Sequence, residues 1–249
     1  MRFFIIFIML FSPLGGAAAN VLVTDLSKDQ ISIRSNFTGE TLLLFGAIDT
    51  APHGPVDGIA VVLRGPGETV TLRKKHKRFG IWINGDAYQM GPLPSFYTVV
   101  SSAPLDNLAP SGELKDLGIG ISSINAVGLQ DALGASDKQQ VLEAFRRLKQ
   151  ADNLFTMRMD TVEIIDEKLF RAEINLPSGM PVGTYVTEFF AFKNGRLVGY
   201  QTGVLPVDIV GAGHILSKAA YDTPLAYGLA GVTMAFFMGW IVAVVFRRR

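Results

Sequence analysis

The chain has 249 residues, a formal net charge of +1, 49% hydrophobic residues and no cysteine. That length allows one large domain or two small ones beside a membrane segment. The missing thiols exclude disulfides, Cys-ligated zinc, iron–sulfur clusters and thiol catalysis, and the near-neutral balance disfavours a nucleic-acid binder, which would carry a basic excess.

Met1 and Arg2 form a positive start, Phe3 to Phe11 is apolar, and Ala17-Ala18-Ala19 supplies the small residues of a cleavage site. Nine apolar residues are too few to cross a bilayer. Residues 1–19 are therefore predicted to be a signal peptide, with Asn20 as the mature N-terminus. The 204 residues from Asn20 to Thr223 hold 19 Lys and Arg against all 22 Asp and Glu, a net charge of −3.

From residue 20 to 103 short β-rich runs alternate with turn residues, about seven strands at the spacing of a β-sandwich. Gln30 to Phe37 alternates, whereas Thr41 to Ile48 is a continuous apolar run that predicts a strand covered on both faces. Ile59 to Leu63 and Thr69 to Leu72 flank Gly65-Pro66-Gly67, which reads as a hairpin turn. Gly80 to Asn84 and Ser95 to Ser101 complete the set.

Residues 104–152 read as a helical connector. Its clear helix is Ser136 to Gln150, with Ser136 and Gln139 as a capping box. Val141, Leu142, Phe145 and Leu148 are expected on one face, and Glu143 and Arg147 as an i, i+4 pair on the other. Strands return over 153–210: Phe155 to Ile165, Phe170 to Leu176, Tyr185 to Phe192 and Leu197 to Gln201. Asn194-Gly195 between apolar runs predicts a type I′ hairpin. Pro181-Val182-Gly183-Thr184-Tyr185 has the form of the tyrosine corner of immunoglobulin-like sandwiches, in which the phenol bonds nearby backbone. So few strands make a thin free-standing sandwich, and this segment is expected to lean on the helix or on the first segment.

A juxtamembrane linker, 211–224, leads to Leu225–Phe246, 22 residues without a charge, and then to Arg247, Arg248 and Arg249. At 1.5 Å per residue the run spans about 33 Å, enough for the hydrocarbon core. Pro224 suits its first turn, and Tyr227 and Trp240 suit the interfaces. The arginines predict a cytoplasmic tail at 247–249. The fold class is thus mainly β: two β-sandwich-type segments, immunoglobulin-like in pattern, joined by a helical connector, plus one C-terminal transmembrane helix.

The most conspicuous local feature is Arg73, Lys74, Lys75, His76, Lys77 and Arg78, followed by Phe79-Gly80-Ile81-Trp82-Ile83-Asn84. The run is a candidate patch for an anionic partner or for lipid headgroups; the simpler reading is a solvated hairpin end whose lysines guard a strand edge. Trp82, flanked by Ile81 and Ile83, is expected in the core. Asp49, His53 and Asp57 share one loop, and Met157 and Met159 lie two apart in a strand, where copper(I) is a conceivable ligand. Spacing alone makes neither a metal site, and a polar loop and core methionines are the simpler readings. No nucleophile elbow, P-loop, dinucleotide fingerprint or zinc-protease motif occurs in the sequence. No catalytic residues, cofactor or metal are expected.

The order of several short pieces carries a resemblance. Thr41-Leu42-Leu43-Leu44-Phe45-Gly46-Ala47, Arg64-Gly65-Pro66, the basic run into Gly80-Ile81-Trp82-Ile83-Asn84, Leu169-Phe170-Arg171-Ala172, Leu176-Pro177, Pro181–Tyr185 and Leu225-Ala226-Tyr227-Gly228-Leu229 follow one another along the chain. Together with the signal peptide they resemble the putative transmembrane protein family of Alphaproteobacteria over essentially the whole chain. The resemblance implies a Gram-negative envelope and so a periplasmic location for residues 20–223. It brings no catalytic residues.

The functional expectation is a single-pass inner-membrane protein, N-terminal part periplasmic and C-terminus cytoplasmic. It would contact membrane lipid and act as an interaction or scaffold module for an envelope or membrane-protein partner. The alternative is a periplasmic small-ligand or metal-binding accessory protein of a membrane transporter. An envelope enzyme would need a cluster assembled in three dimensions, and a sorting signal cleaved from the tail would need a recognition motif that is not seen before it.

Overall fold

The computed structural model describes residues 21–51, 54–124, 135–211 and 220–247. The expected signal peptide, His53, His214, Arg248, Arg249 and the side chains of Lys74 and Ser136 lie outside the described residues. The chain is mainly β, with a short helical region between its β-rich parts and one apolar C-terminal helix.

The strands are β1 (Leu22–Leu26), β2 (Ile31–Ile33), β3 (Gly39–Ile48), β4 (Gly58–Arg64), β5 (Gly67–Arg78), β6 (Ile81–Pro94), β7 (Tyr97–Ser101), β8 (Phe155–Arg158), β9 (Val162–Ile165), β10 (Leu169–Pro177), β11 (Gly183–Lys193) and β12 (Arg196–Ile209). An outer sheet has the order β1-β3-β10-β9, and a central sheet the order β2-β12-β11-β4-β7-β8. Strands from 20–103 and from 153–210 interleave in both sheets: β10 pairs with β3, and β11 with β4. The second segment does lean on the first, because so few strands cannot bury both faces of a sandwich by themselves.

Between the two sheets lies one core, with Leu42, Leu44, Phe170 and Ile174 facing Val61, Leu63, Phe189 and Leu205. The rings of Phe170 and Phe189 meet across it at 5.8 Å. A second core covers the other face of the central sheet, where Ala60, Val62, Tyr97, Val99, Phe190 and Phe192 meet residues of the helical region. β4 is accordingly buried on both sides from Gly58 to Leu63, as its near-continuous apolar sequence requires.

β3 differs from its sequence reading. Leu42, Leu44 and Ile48 point into the core, but Phe45 is 40% exposed. Its run of apolar residues conceals an alternation, since the outer sheet is covered on one face alone. Gly65-Pro66-Gly67 is not a hairpin turn either. β4 pairs with β7 and β11, and Gly65-Pro66 carries the chain out of the sheet into β5, which pairs with β6. The expected strand Phe155 to Ile165 is two strands, β8 on the central sheet and β9 on the outer one, with Asp160 at positive φ between them.

Two turns follow the sequence closely. Asn194 and Gly195 take φ values of 51° and 73° between β11 and β12. Tyr185 donates from its hydroxyl to the Pro181 carbonyl at 2.7 Å, the expected corner.

The helical region holds α1 (Leu105–Leu108), α2 (Ser111–Asp116) and α3 (Ala135–Ala151). Phe145 is buried, and Val141 and Leu142 pack beside it, but Leu148 is 53% exposed, one turn beyond the covered part of the face. Glu143 pairs with Arg146 at 3.4 Å rather than with Arg147. Arg146 turns inward and donates to the carbonyls of Ser122 and Ile124 at 2.9 and 2.8 Å, bonds that satisfy the connector's backbone.

Candidate functional site

The basic run lies on a two-stranded arm. β5 and β6 pair with each other from Gly67↔Pro94 to Arg78↔Ile81, and with no other strand among the described residues. An isolated hairpin is marginal in water, so the base of this one is clamped. Met90 and Leu93 are buried in the second core, Val70 and Leu72 pack against it, and Glu68 forms an ion pair with Lys149 of α3. Lys149 also donates to the Ser95 carbonyl at 3.2 Å.

Beyond Leu72 the arm leaves the body. Arg73, Lys75, His76, Lys77 and Arg78 are exposed, and so are Phe79 (98%), Ile81 (69%) and Trp82 (66%). At about 3.4 Å per residue the six basic positions cover roughly 20 Å. The Arg73–Asn84 stretch contains no Asp or Glu, and among the described residues none of the ion pairs involves Arg73, Lys75, Lys77 or Arg78. Trp82 is therefore not a core residue. The alternation that suggested burial is real, but among the described residues no sheet or helix stacks on the distal ribbon, and both of its faces are exposed.

The tip itself is unusual. Phe79 and Gly80 form the turn with φ values of 49° and 81°. Positive φ suits Asn or Gly and is costly for a bulky residue. Phe79 gains nothing from burial in return, so the fold alone does not account for an aromatic ring there.

A second exposed feature escaped the sequence reading. Across the open face of the outer sheet, Val23 lies opposite Ala47, Ala47 opposite Leu169, and Leu169 opposite Ile165. All four are exposed, Val23 at 67% and Leu169 at 51%. The next row holds Asp25, Phe45, Arg171 and Glu163, with Arg171 donating to Glu163 at 2.8 Å. Each apolar residue lies at or next to the end of its strand, and only the strand register brings them into one row.

Asp49 accepts from the Ala51 amide at 2.9 Å, and Asp57 accepts from the Asn194 amide at 2.5 Å, steadying the β11–β12 turn. Among the described residues no three His, Asp or Glu side chains cluster as metal ligands. Met157 and Met159 both line a cleft of about 620 Å³, whose walls include Leu105, Leu114, Ile119 and Ile121. The Ser101 hydroxyl lies 3.0 Å from the Met159 sulfur.

Near the arm base a polar network joins the sheet to the connector. Arg64 pairs with Glu188 and donates to the Gly118 carbonyl at 2.8 Å, where the Tyr97 hydroxyl also donates at 2.8 Å. The Gly120 amide donates back to the Tyr97 oxygen at 2.9 Å, and Tyr200 donates to Glu188 at 3.1 Å. Burial pushes the Tyr97 phenol above its ordinary pKa, against the pull of the Arg64 cation. Burial also raises Tyr185, helped by the Glu68 charge, and Tyr200, helped by Glu188. The network's donors and acceptors are spent on one another, and it serves to fasten the connector.

The last element is α4 (Pro224–Phe246), with Pro224 in its first turn as expected and no side-chain cap from Thr223. Pro224–Val244 is long and apolar enough to cross a membrane, and none of it is buried against the rest of the chain. A core helix of a soluble domain would be mostly covered. Leu225 is 90% exposed and Phe246 69%, and Arg247 caps the end. The single hydroxyl in the middle, Thr233, donates back to the Leu229 carbonyl at 2.7 Å and so does not present an unpaired donor. The family described as "Putative transmembrane protein (Alph_Pro_TM)" matches residues 21–248. The chain belongs to this family. Among curated proteins, none matches it. Family membership and α4 together make this a membrane protein with one candidate C-terminal span, in contact with lipid.

Proposed function

We propose that this member of the family is a single-pass inner-membrane protein whose β-rich part lies in the periplasm and serves as a non-enzymatic interaction or scaffold module for another envelope component. The orientation follows from the arginines after α4, which favour the cytoplasmic side, and from the signal-like N-terminus, which would export residues 20–223. The observation that carries the reading is the apolar row Val23, Ala47, Leu169 and Ile165 on the open sheet face. A row of exposed apolar side chains spanning four strands, three of them large, is the kind of surface that a partner covers.

The test is site-directed photocrosslinking from Phe45, in the adjoining row, in native membranes, with the full chain and with a Val23→Thr, Leu169→Thr, Ile165→Thr variant. A defined envelope protein should crosslink to the full chain, and its yield should drop at least about tenfold in the variant, the loss of 1.4 kcal/mol or more. Equal yields from both chains would overturn the reading.

The cleft beside Met157 and Met159 favours a second reading, a carrier of a small apolar ligand. Native mass spectrometry of the detergent-solubilised chain with an additional bound mass would support it, and an unmodified mass would dispose of it.

A further inference from the structure

We propose that the β5–β6 arm is a second membrane contact, which lays its basic sides on anionic phospholipid headgroups and inserts Phe79, Ile81 and Trp82 into the interface of the bilayer that α4 spans. The proposal rests on the reading of α4 as a membrane span and is independent of which side the β-rich part occupies.

Strand directions place the arm and the tether together. β4 and β12 are both antiparallel to β11, and Arg64 and Val204 lie on either side of Val186. The chain thus leaves the central sheet toward the arm, through Gly65-Pro66, from the same end at which β12 leaves toward α4. Residues 210–223, 14 in all, separate Ile209 from Pro224. Fully extended they reach about 50 Å. The β-rich part is therefore tethered within about 50 Å of the bilayer, and the arm adds roughly 20 Å of reach.

Composition selects lipid over an acidic protein. Lys77 lies opposite Trp82, Arg78 opposite Ile81, and His76 opposite Ile83. Each face of the ribbon carries cations and apolar groups side by side, and the most apolar stretch is at the extremity. That order matches a membrane interface, with phosphates outside and acyl chains within. An acidic protein surface would pair with the cations and leave Phe79, at 98% exposure and positive φ, without a function. Each Lys or Arg held near an anionic surface strengthens binding roughly fivefold.

The chain has two tryptophans, Trp82 and Trp240. In a Trp240→Phe background the full chain, reconstituted into nanodiscs, reports from Trp82 alone. In discs of phosphatidylcholine with phosphatidylglycerol the emission should shift to the blue and be quenched by lipids brominated near the headgroup. In pure phosphatidylcholine, at high salt, or with Arg73, Lys75, Lys77 and Arg78 all changed to Gln, it should return to the solvent-exposed value. Solvent-like emission in both disc types would overturn the proposal. So would a blue shift of equal size in both, or one that appears only when a periplasmic extract is added, the sign of a protein partner. The discs contain no envelope partner, so failure here leaves the partner reading of the apolar row standing, and loss of the crosslink from Phe45 leaves the arm standing.

Discussion

At the scale of single residues, two positions show how the sandwich is closed. Tyr185 is fully buried and its hydroxyl is anchored to Pro181. Tyr185→Phe should cost about 1–2 kcal/mol, because the carbonyl loses its partner inside the protein; chemical denaturation followed by near-UV circular dichroism measures this. The same phenol has a pH signature. Tyr97 and Tyr185 are held above their ordinary pKa in the folded chain, so above about pH 10 the unfolded chain has released protons that the folded one keeps. Stability should then fall as pH rises through that range, and Tyr185→Phe should decline less steeply than the parent. Gly46 is the second case. A Cβ there would stand 2.5 Å from the Val23 carbonyl oxygen and 2.7 Å from the Phe170 ring. Gly46→Ala should destabilise by about 1–3 kcal/mol through overpacking, seen as a lower denaturation midpoint.

At the scale of elements, the arm and the body separate energetically. The base of β5–β6 contributes Met90 and Leu93 to a core, whereas no described side chain of residues 73–84 is buried. Joining Leu72 to Tyr88, which are paired, through an Asn-Gly turn removes the distal arm. The unfolding free energy should change by less than about 1 kcal/mol, and a larger loss in thermal unfolding would mean that the arm is a structural strut. Element by element, the strands were legible where one residue type repeats with a period of two or where a turn demands positive φ, as at Asn194-Gly195. What could not be read was partnership. β3 and β4 are both apolar runs, yet one has a single covered face and the other two, because burial depends on which sheet a strand joins. Trp82 illustrates the same limit: a strand pattern predicts a ribbon, and only the neighbours decide whether its faces are covered. The basic run was visible as charge, but its projection on an arm depends on β5 and β6 pairing with each other, and the row from Val23 to Ile165 depends on a register that sets Ala47 opposite Leu169, far away in sequence.

At the scale of the whole molecule, α4 should be what holds the protein in the membrane. Ending the chain after Thr223 should convert a carbonate-resistant membrane protein into one that salt extracts, as fractionation and immunoblotting would show. Exchanging Leu225–Phe246 for an unrelated span should leave it membrane-bound, and loss of function with retained location would assign specific contacts to the helix, whose Gly228, Gly231 and Gly239 have open space where a side chain would stand. The place where β12 ends has a mechanical meaning as well. Tension between the bilayer and anything held by the β-rich part enters at Ile209 and runs along a strand of 14 residues, paired with β11 from Arg196 to Val207 and with β2 from Val207 to Ile209. Those hydrogen bonds lie across the strand, so the pull loads many of them in shear at once instead of peeling them one by one. The tether is attached where the sandwich resists being drawn apart.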